Sequence, residues 1–301
     1  MRGAGPSFGI ATTLYLQTHS APAVTTYFGI SFPGAAPATS IDTAVSSFTH
    51  LQDMAQNASV TNRNLSFGIS LGPNAFEVRG VYLGSASDFN STVAPELLRG
   101  LPQPSSPATV QELNWRANLE VLNGGSLVVS TAEPYTARDN FFAKSVAVPE
   151  PGLSAAALRS YLTYITNQGA SPQAPVSWFA IVNLDGGADS QINVRDADFS
   201  AYGHRNLMWT VQNYGFVGAG EIFPETGIDF MNGLNGAITD VLASEGVEYG
   251  AYINYADPTL GADEANRLYY GDAIVSRLKG LKAILDPGNI FAHPQSIIPS
   301  G

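Results

Sequence analysis

The chain has 301 residues, with 14 Lys and Arg against 25 Asp and Glu, a formal net charge of −11 and no cysteine. The excess of acidic groups argues against a nucleic-acid partner, because phosphate backbones are held mainly by Lys and Arg. The lack of cysteine excludes disulfides and thiolate metal sites. The longest apolar runs, such as 178–182, stop far short of the ~20 residues that span a bilayer, so no membrane span is expected.

The composition is more typical of an extracellular protein. Charged residues make up 13% of the chain, about half of the ~25% usual for soluble domains. Three Asn-x-Ser/Thr triplets begin at Asn57, Asn64 and Asn90 and predict glycosylation in a secretory pathway, although chance also produces such triplets. The first residues lack the apolar stretch of a signal peptide. We therefore expect either a cytosolic protein or, as the composition favours, a secreted one whose leader lies outside this sequence.

The first half of the chain predicts an amphipathic helix among strands. Residues 40–56 begin with the N-cap signal Ser40 and place apolar side chains at helical spacing. The runs rich in β-branched and aromatic residues, which predict strands, are 8–17, 25–31, 65–71 and 75–83. Because a Gly-Pro-Asn turn signal separates the last two, we expect them to pair as an antiparallel hairpin.

The second half mixes helices and strands without the regular strand-helix-strand order of a parallel sheet. The predicted helices cover 153–166, 230–245 and 263–285, and the predicted strands cover 177–185 and 204–213. A change of composition near 139–153 is too short to be a linker. This order predicts one compact α+β unit built on a large, mainly antiparallel sheet flanked by helices.

Polar side chains stand out at the end of the predicted strand 177–185. Alternation puts Asn183 and Asp185 at the end of one otherwise apolar face, where they either cap the strand at the surface or line a cleft. No metal site is predicted, because the histidines are scattered along the chain, at His19, His50, His204 and His293.

A second polar and aromatic cluster lies at 252–257. In a straight strand, alternation separates Tyr252 and Asn254 from Tyr255 and Asp257, and a bulge changes that arrangement. Tyrosines serve most often as packed, half-buried aromatics. The residues alone therefore leave open whether these side chains form a site.

The two ends of the chain carry the most specific motifs. At the C-terminal end these are YGAYINYADPTL at 249–260, RLYYGD at 267–272, LDPGNIF at 285–291 and PQSI at 294–297. Their order and spacing resemble the C-terminal signature of the berberine-bridge-enzyme-like flavoprotein oxidases, including the glucooligosaccharide-oxidase type. RGAGPSFGIAT at 2–12 is similar to the segment that closes the FAD-binding domain of that family.

This resemblance implies a domain organisation. Residues 1–18 would be a remnant of the FAD-binding domain, 19–248 the substrate-binding domain, and 249–301 a helical C-terminal segment that packs on the FAD-binding domain. In the family, the portion before the RGAG motif supplies most of the flavin site. We therefore expect this chain alone to be inactive and to bind FAD weakly or not at all. Its expected partner is a missing FAD-binding domain, in cis or in trans.

The resemblance also implies roles for individual residues. Tyr255 would be the general base that takes the substrate hydroxyl proton, and Asp185 would assist it. Asn183 and Gln212 would line the sugar cleft, with Tyr252 stacking on a pyranose ring. The residues expected to approach FAD are Gly3, Gly5, Phe8, Gly9 and Asn254.

The reaction implied by the family is hydride transfer from a substrate C–H to flavin N5, with oxygen as the final acceptor. The substrate would be a sugar or a secondary-metabolite alcohol, and the acidic, Lys-poor composition favours a sugar slightly. The alternative is a stand-alone substrate-binding or vestigial domain that lacks flavin, because the flavin-tethering residues of the family are absent from this sequence.

Overall fold

A seven-stranded antiparallel sheet organises the chain. The structure, a computed structural model, describes residues 2–33, 40–73, 75–128, 140–170, 172–196 and 199–300. Within these ranges the strands are β1 (Thr25–Pro33), β2 (Leu65–Gly72), β3 (Ala75–Tyr82), β4 (Thr109–Leu113), β5 (Asn140–Pro149), β6 (Ser177–Leu184) and β7 (Leu207–Val217). Their order is β4-β1-β3-β2-β6-β7-β5, and every neighbouring pair is antiparallel. The predicted α+β class with a mainly antiparallel sheet is confirmed.

Helices cover one face of this sheet, and two more helices follow it in the C-terminal part of the chain. They are α1 (Ile41–Gln56), α2 (Ala86–Asp88), α3 (Ala94–Leu97), α4 (Trp115–Leu122), α5 (Ala155–Tyr164), α6 (Glu225–Ser244), α7 (Ala262–Tyr270) and α8 (Asp272–Leu285). The predicted cap of α1 is present, since the Thr43 N–H donates to Ser40 Oγ at 3.2 Å.

The two faces of the sheet differ in burial, as alternation requires. On one face Trp209 of β7 packs edge-to-face against Phe48 of α1, and its Nε1 donates to Gln52 Oε1 at 2.9 Å. On the same face Trp178 of β6 packs against Phe230 of α6. The residues between these core positions are half-buried on the opposite face, here called the open face; they include Gly68, Ser70, Ile181, Asn183, Gln212 and Tyr214. The open face therefore has room for a polar site.

The C-terminal segment forms a second, smaller core with the N-terminal residues. Gly250 joins the edge of β5 through two backbone hydrogen bonds with Ala147, at 2.7 and 3.0 Å. Beyond it, α7 and α8 pack around the other end of the chain. The buried members of this core are Ala4, Ala201, Ala251, Ala265, Leu268, Tyr269, Tyr270, Ile274, Leu278 and Ile297.

Two predictions about elements are wrong. Residues 8–17 form no strand; a short 3-10 turn, Gly5–Ser7, is followed by extended chain whose Ile10, Tyr15 and Leu16 are at least 80% exposed. The single helix predicted for 263–285 is two helices, because Gly271 adopts φ +78 between α7 and α8. The sequence predicted no strand at 139–153, where the structure has strand β5 beside β7.

Candidate active site

A cavity of about 490 Å³ opens at the polar end of the open face. The predicted residues Asn183, Asp185, Gln212 and Tyr255 all line it. The other lining residues come from β2, β3, β6 and α4, and they are Ser66, Phe67, Gly68, Ser70, Arg79, Gly80, Val81, Leu122, Ile181 and Leu184. Four side chains that are up to 72 positions apart in the sequence are thus brought to one cavity.

Strand pairing sets the spacing of the polar side chains. Asn183 stands opposite Gly68 of β2 and opposite Thr210 of β7, and Gln212 stands opposite Ile181. A Cβ on Gly68 would lie 3.4 Å from Asn183 Oδ1 and 3.1 Å from the Val182 carbonyl oxygen. The missing side chain of Gly68 therefore keeps the floor of the cavity open beside Asn183.

Asp185 lies just past the end of β6 in a partly apolar environment. The Thr210 hydroxyl donates to Asp185 Oδ2 at 2.5 Å. Burial raises the pKa of the Asp185 carboxyl above its usual range, and the hydrogen bond from Thr210 opposes that rise. The burial effect dominates, so this carboxylate holds a proton more readily than an exposed aspartate does.

Tyr255 belongs to a turn and not to a straight strand. Its N–H donates to the Tyr252 carbonyl oxygen at 2.9 Å, which closes the turn. Of the two arrangements that the sequence left open, the structure has the bent one: the rings of Tyr252 and Tyr255 pack edge-to-face with centroids 5.2 Å apart. The Asn254 amide donates to the Tyr252 hydroxyl at 2.7 Å. The turn thus places three predicted site residues side by side.

Burial raises the pKa of the Tyr255 phenol, and the nearby Tyr252 and Asp185 raise it further. Among the described residues, no hydrogen bond joins Asp185 to Tyr255, so the two groups interact in this structure through their charges. A bond that is absent without ligand can form when a substrate draws the groups together, because catalytic hydrogen bonds often tighten only in the complex.

Sequence reasoning missed two residues of this site. Thr210 lies two residues before Gln212 on the same strand, so alternation could have placed it on the open face beside Asp185. Tyr202 packs edge-to-face against Tyr252, with centroids 6.4 Å apart. Its pKa is raised by burial first and then by Asp185 and Tyr252. Tyr202 lies in a loop, where no periodicity points to it.

The residues expected to approach FAD have several different environments. Gly3, at φ +83, lies against the backbone of Ala201 and Tyr202, where a Cβ would come within 3.0 Å. Phe8 packs on the second core with the Lys282 ammonium 5.8 Å from its ring centroid. Gly5 has open space beside it, and Asn254 is exposed. Gly9 follows the 3-10 turn, with its N–H donating to the Gly5 carbonyl oxygen at 3.2 Å.

These residues fit only one edge of a flavin. The Asn254 amide offers an acceptor and a donor of the kind that the pyrimidine edge of a flavin can meet. The phosphate groups of a dinucleotide are often held by a glycine-rich turn between a strand and a helix N-terminus. The stretch from Gly3 to Gly9 contains the 3-10 turn Gly5–Ser7, and no α-helix begins in it.

Three further observations concern glycosylation, metal binding and membrane spans. The predicted glycosylation residues Asn57, Asn64 and Asn90 are all exposed, and glycosylation there stays a prediction. Across the described ranges, no group of three or more His, Cys, Asp and Glu is arranged to hold a metal ion. No helix in these ranges is long and apolar enough to cross a bilayer.

Comparison with known proteins shows which family this chain is similar to. Residues 251–298 match the sequence model of the family described as "Berberine and berberine like". A chitooligosaccharide oxidase of Gibberella zeae is 30% identical over 99% of this chain, and an FAD-linked oxidoreductase of Metarhizium anisopliae is 28% identical over 99% of it. A solved structure of a chitooligosaccharide oxidase superposes with a TM-score of 0.87 at 28% identity, covering 99% of this chain and 60% of that one.

The resemblance to the berberine-bridge-enzyme-like oxidases is confirmed. The chain has the fold of that family and carries its berberine-like segment at 251–298. It spans 57% of the length of the Gibberella zeae relative and 55% of the length of the Metarhizium anisopliae relative. The matches cover 99% of this chain and therefore include its sheet, its cavity and its Tyr252–Asp257 turn.

Proposed function

We propose that this chain is the substrate-binding part of an FAD-linked oxidase that acts on a CH–OH group of a sugar. The observation that carries the proposal is the meeting of Asn183, Asp185, Gln212 and Tyr255 in one cavity on the open face. Oligosaccharide-oxidase and FAD-linked relatives that match nearly the whole chain support it. The FAD-binding part would be supplied in cis or in trans.

In this proposal the chain moves one proton. The Tyr255 oxygen accepts the proton of the substrate hydroxyl and passes its own proton to Asp185. A phenol with a raised pKa is protonated at neutral pH, so it needs such an acceptor. The raised pKa of Asp185 makes its carboxylate a better acceptor than an exposed aspartate. The rise at Asp185 favours the proton transfer from Tyr255, whereas the rise at Tyr255 makes the phenol harder to deprotonate and its phenolate a stronger base towards the substrate hydroxyl.

The amides at the cavity wall would orient the sugar. Asn183 and Gln212 each present one acceptor oxygen and two donor hydrogens, which match the dual character of sugar hydroxyls. Tyr252 would stack on a ring, although its hydroxyl is held by Asn254. FAD, when bound, supplies the two-electron acceptor for the C–H bond that breaks. Asn254 and the Gly5–Gly9 backbone would contact one edge of it.

The rival function is a binding domain that works without flavin. The FAD-linked and oxidase relatives favour the oxidase over this alternative. The purified chain offers a direct observation. We expect it to be colourless and to bind added FAD weakly in a calorimetric titration, because its residues meet only one edge of the cofactor. Tight stoichiometric FAD binding would show that the chain holds a flavin site of its own.

The test of the proposed base uses the chain joined to the FAD-binding part of an oligosaccharide-oxidase relative. Tyr255→Phe keeps the ring and its packing and removes the oxygen that accepts the proton. We expect anaerobic flavin reduction by an oligosaccharide to slow about 10²–10⁴-fold, the usual effect of losing a general base. Reoxidation by oxygen should change little.

Tyr164→Phe is the matched control. Tyr164 is also half-buried, but its hydroxyl donates to the Phe230 carbonyl oxygen on the helix-covered side of the sheet. We expect its removal to leave flavin reduction unchanged. If Tyr255→Phe stays within about threefold of the parent, well short of the general-base range, Tyr255 is a packed aromatic and the proposed base is wrong.

A further inference from the structure

The turn that carries Tyr255 runs from Tyr252 to Asp257, and each of its two ends is bonded to a residue of β5. These two β5 residues, Ser145 and Lys144, are consecutive in the sequence. At its first end, the Tyr252 N–H donates to Ser145 Oγ at 2.8 Å. The Gly250 bridge to Ala147 precedes this bond by two residues. The start of the turn is thus bonded to β5, the edge strand, on the open face of the sheet.

A buried ion pair holds the other end. Lys144 Nζ lies 2.5 Å from Asp257 Oδ2, and the two side chains are only 11% and 5% exposed. The same ammonium donates to Asn232 Oδ1 of α6 at 3.0 Å and to Thr259 Oγ1 at 3.3 Å. Thr259 in turn donates to Asp257 Oδ1 from its hydroxyl at 2.6 Å and from its N–H at 2.9 Å. Lys144 has three oxygen partners, and both carboxylate oxygens of Asp257 are bonded.

The two anchors lie on opposite sides of one strand. Consecutive side chains of a strand point to opposite faces, so Ser145 faces the open side while Lys144 faces α6. The chain from Tyr252 to Asp257 must therefore wrap around the edge of β5. Tyr255 lies between the anchors, and neither its position nor its tilt is set by a hydrogen bond of its own hydroxyl to another described residue.

We propose that Lys144 is a positioning residue for Tyr255: by holding Asp257 against β5, it fixes the turn so that the phenol stands in the cavity beside Asp185. This inference rests on the proposed function only in giving Tyr255 a chemical role. A buried ion pair adds little net stability compared with apolar side chains of similar volume, whereas its geometry is specific. The Lys144–Asp257 pair lies at the end of this turn, where a specific geometry would fix the position of Tyr255.

The C-terminal segment completes the second anchor. The Gln295 amide donates to the Asp257 carbonyl oxygen at 2.7 Å, and the Asp257 N–H donates to the Tyr269 hydroxyl at 3.0 Å. These contacts hold the backbone of Asp257 but leave its carboxylate to Lys144 and Thr259. Removal of the Lys144 ammonium should therefore loosen the turn without releasing the whole C-terminal segment.

The test is made on this chain without flavin. The ring carbon that bears the hydroxyl is labelled with ¹³C in all tyrosines, and the Tyr255 signal is assigned by its loss in Tyr255→Phe. In the parent, Tyr255 should titrate above the ordinary phenol pKa of ~10, because burial, Tyr252 and Asp185 all raise its pKa. In Lys144→Met, we expect its titration to move down towards ~10 as the ring leaves the cavity. Lys144→Arg, which keeps the charge, should retain most of the parent value.

Lys282→Met is the matched control. Lys282 forms a second buried Lys–Asp pair, with Asp286 Oδ2 at 2.6 Å, and its hydrogen bonds to described residues go to Ser7, Asp286 and Phe291 rather than to the Tyr252–Asp257 turn. The Tyr255 titration should be unchanged there. A folded Lys144→Met chain that titrates Tyr255 like the parent overturns the proposal, and so does an equal shift in Lys282→Met.

If Lys144→Met fails to fold, Asp257→Asn replaces it, because asparagine keeps the shape of the aspartate side chain and removes its charge from the ion pair. The Tyr255 titration of Asp257→Asn is then compared with that of the parent. The readout is the environment of Tyr255 and not turnover. Failure of the positioning role is therefore distinguishable from failure of Tyr255 as the base, which is judged by flavin reduction in Tyr255→Phe.

Discussion

At the scale of single residues, the site puts a carboxyl group where water cannot fully solvate it. Asp185 is half-buried at the end of β6, and one hydroxyl, that of Thr210, donates to it. Such a group is useful as a proton acceptor because its pKa is raised. The same shift opposes folding when the group is ionised. Function and stability should therefore respond to Asp185 in opposite directions.

Asp185→Asn should stabilise the folded chain at neutral pH. The folded-state pKa of Asp185 is raised above the unfolded value, so its favourable contribution is full below the unfolded pKa and is lost as the pH rises through the folded pKa. An asparagine oxygen can still accept the Thr210 hydrogen bond. The melting temperature of Asp185→Asn should thus exceed that of the parent at pH 7, and the gap should close near pH 3.

Thermal unfolding followed by circular dichroism between pH 3 and pH 8 measures this effect. Asp263→Asn, at a fully exposed side chain, is the control and should show no gain of this kind. A melting temperature of Asp185→Asn equal to that of the parent at every pH would mean that burial does not disfavour the charge.

At the scale of elements, the sequence predicts what local pattern determines. Helix α1 and the β2–β3 hairpin follow from capping, helical spacing and a turn signal, and the structure has both. The strand predicted at 8–17 has suitable residues but no partner strand among the described residues. Strand β5 was missed because its buried run, NFFAKSVAVP, lacks alternation. Its burial on both faces comes from tertiary packing.

The residues of the candidate site also differ in whether a local sequence pattern indicates them. The period of two put Asn183 and Asp185 on one face but left open whether they cap the strand or line a cleft. Their site roles, like those of Gln212 and Tyr255, came from the family resemblance. Lys144 lay in a segment read as a change of composition. Its role depends on a partner 113 positions away, Asp257, which no local pattern indicates.

The break between α7 and α8 depends on one glycine. Gly271 adopts φ +78 and ψ 151, a region that is essentially limited to glycine. Gly271→Ala should destabilise the chain by about 1–3 kcal/mol, the usual cost of holding another residue in a rare backbone region. The loss should appear as a lower midpoint in urea.

Gly280→Ala is the control within the next helix. Gly280 lies inside α8, and a Cβ there meets nothing within 4 Å. Alanine should therefore stabilise α8 by about 0.5–1 kcal/mol. If Gly271→Ala leaves the urea midpoint unchanged or raises it, the backbone at Gly271 does not require glycine.

At the scale of the whole molecule, the two ends of the chain meet on one apolar surface. Lys282 is fully buried there and donates to the Ser7 carbonyl oxygen and to Asp286, while the Ile297 N–H donates to Ser7 Oγ. Beside them, Phe8, Leu281 and Leu285 line an open cavity of about 710 Å³. We call the surface around this cavity the terminal face; the exposed apolar side chains that α8 brings to it or next to it are Leu281, Ile284 and Leu285.

The terminal face should bind hydrophobic dye or join two chains in solution, because monomeric proteins seldom leave so many large apolar side chains exposed together. Its expected occupant is the FAD-binding part of the proposed oxidase.

Ile284→Glu on α8 puts a charge on this surface at a side chain that is 76% exposed, so folding should be unaffected. Dye fluorescence or the dimer fraction should fall at least twofold, while Ile222→Glu, at an isolated residue that is 90% exposed, should change neither. Light scattering and dye titration at matched concentrations measure both quantities. A parent chain that is monomeric with negligible dye binding would mean that these side chains are covered in solution and that the terminal face is not an interaction surface.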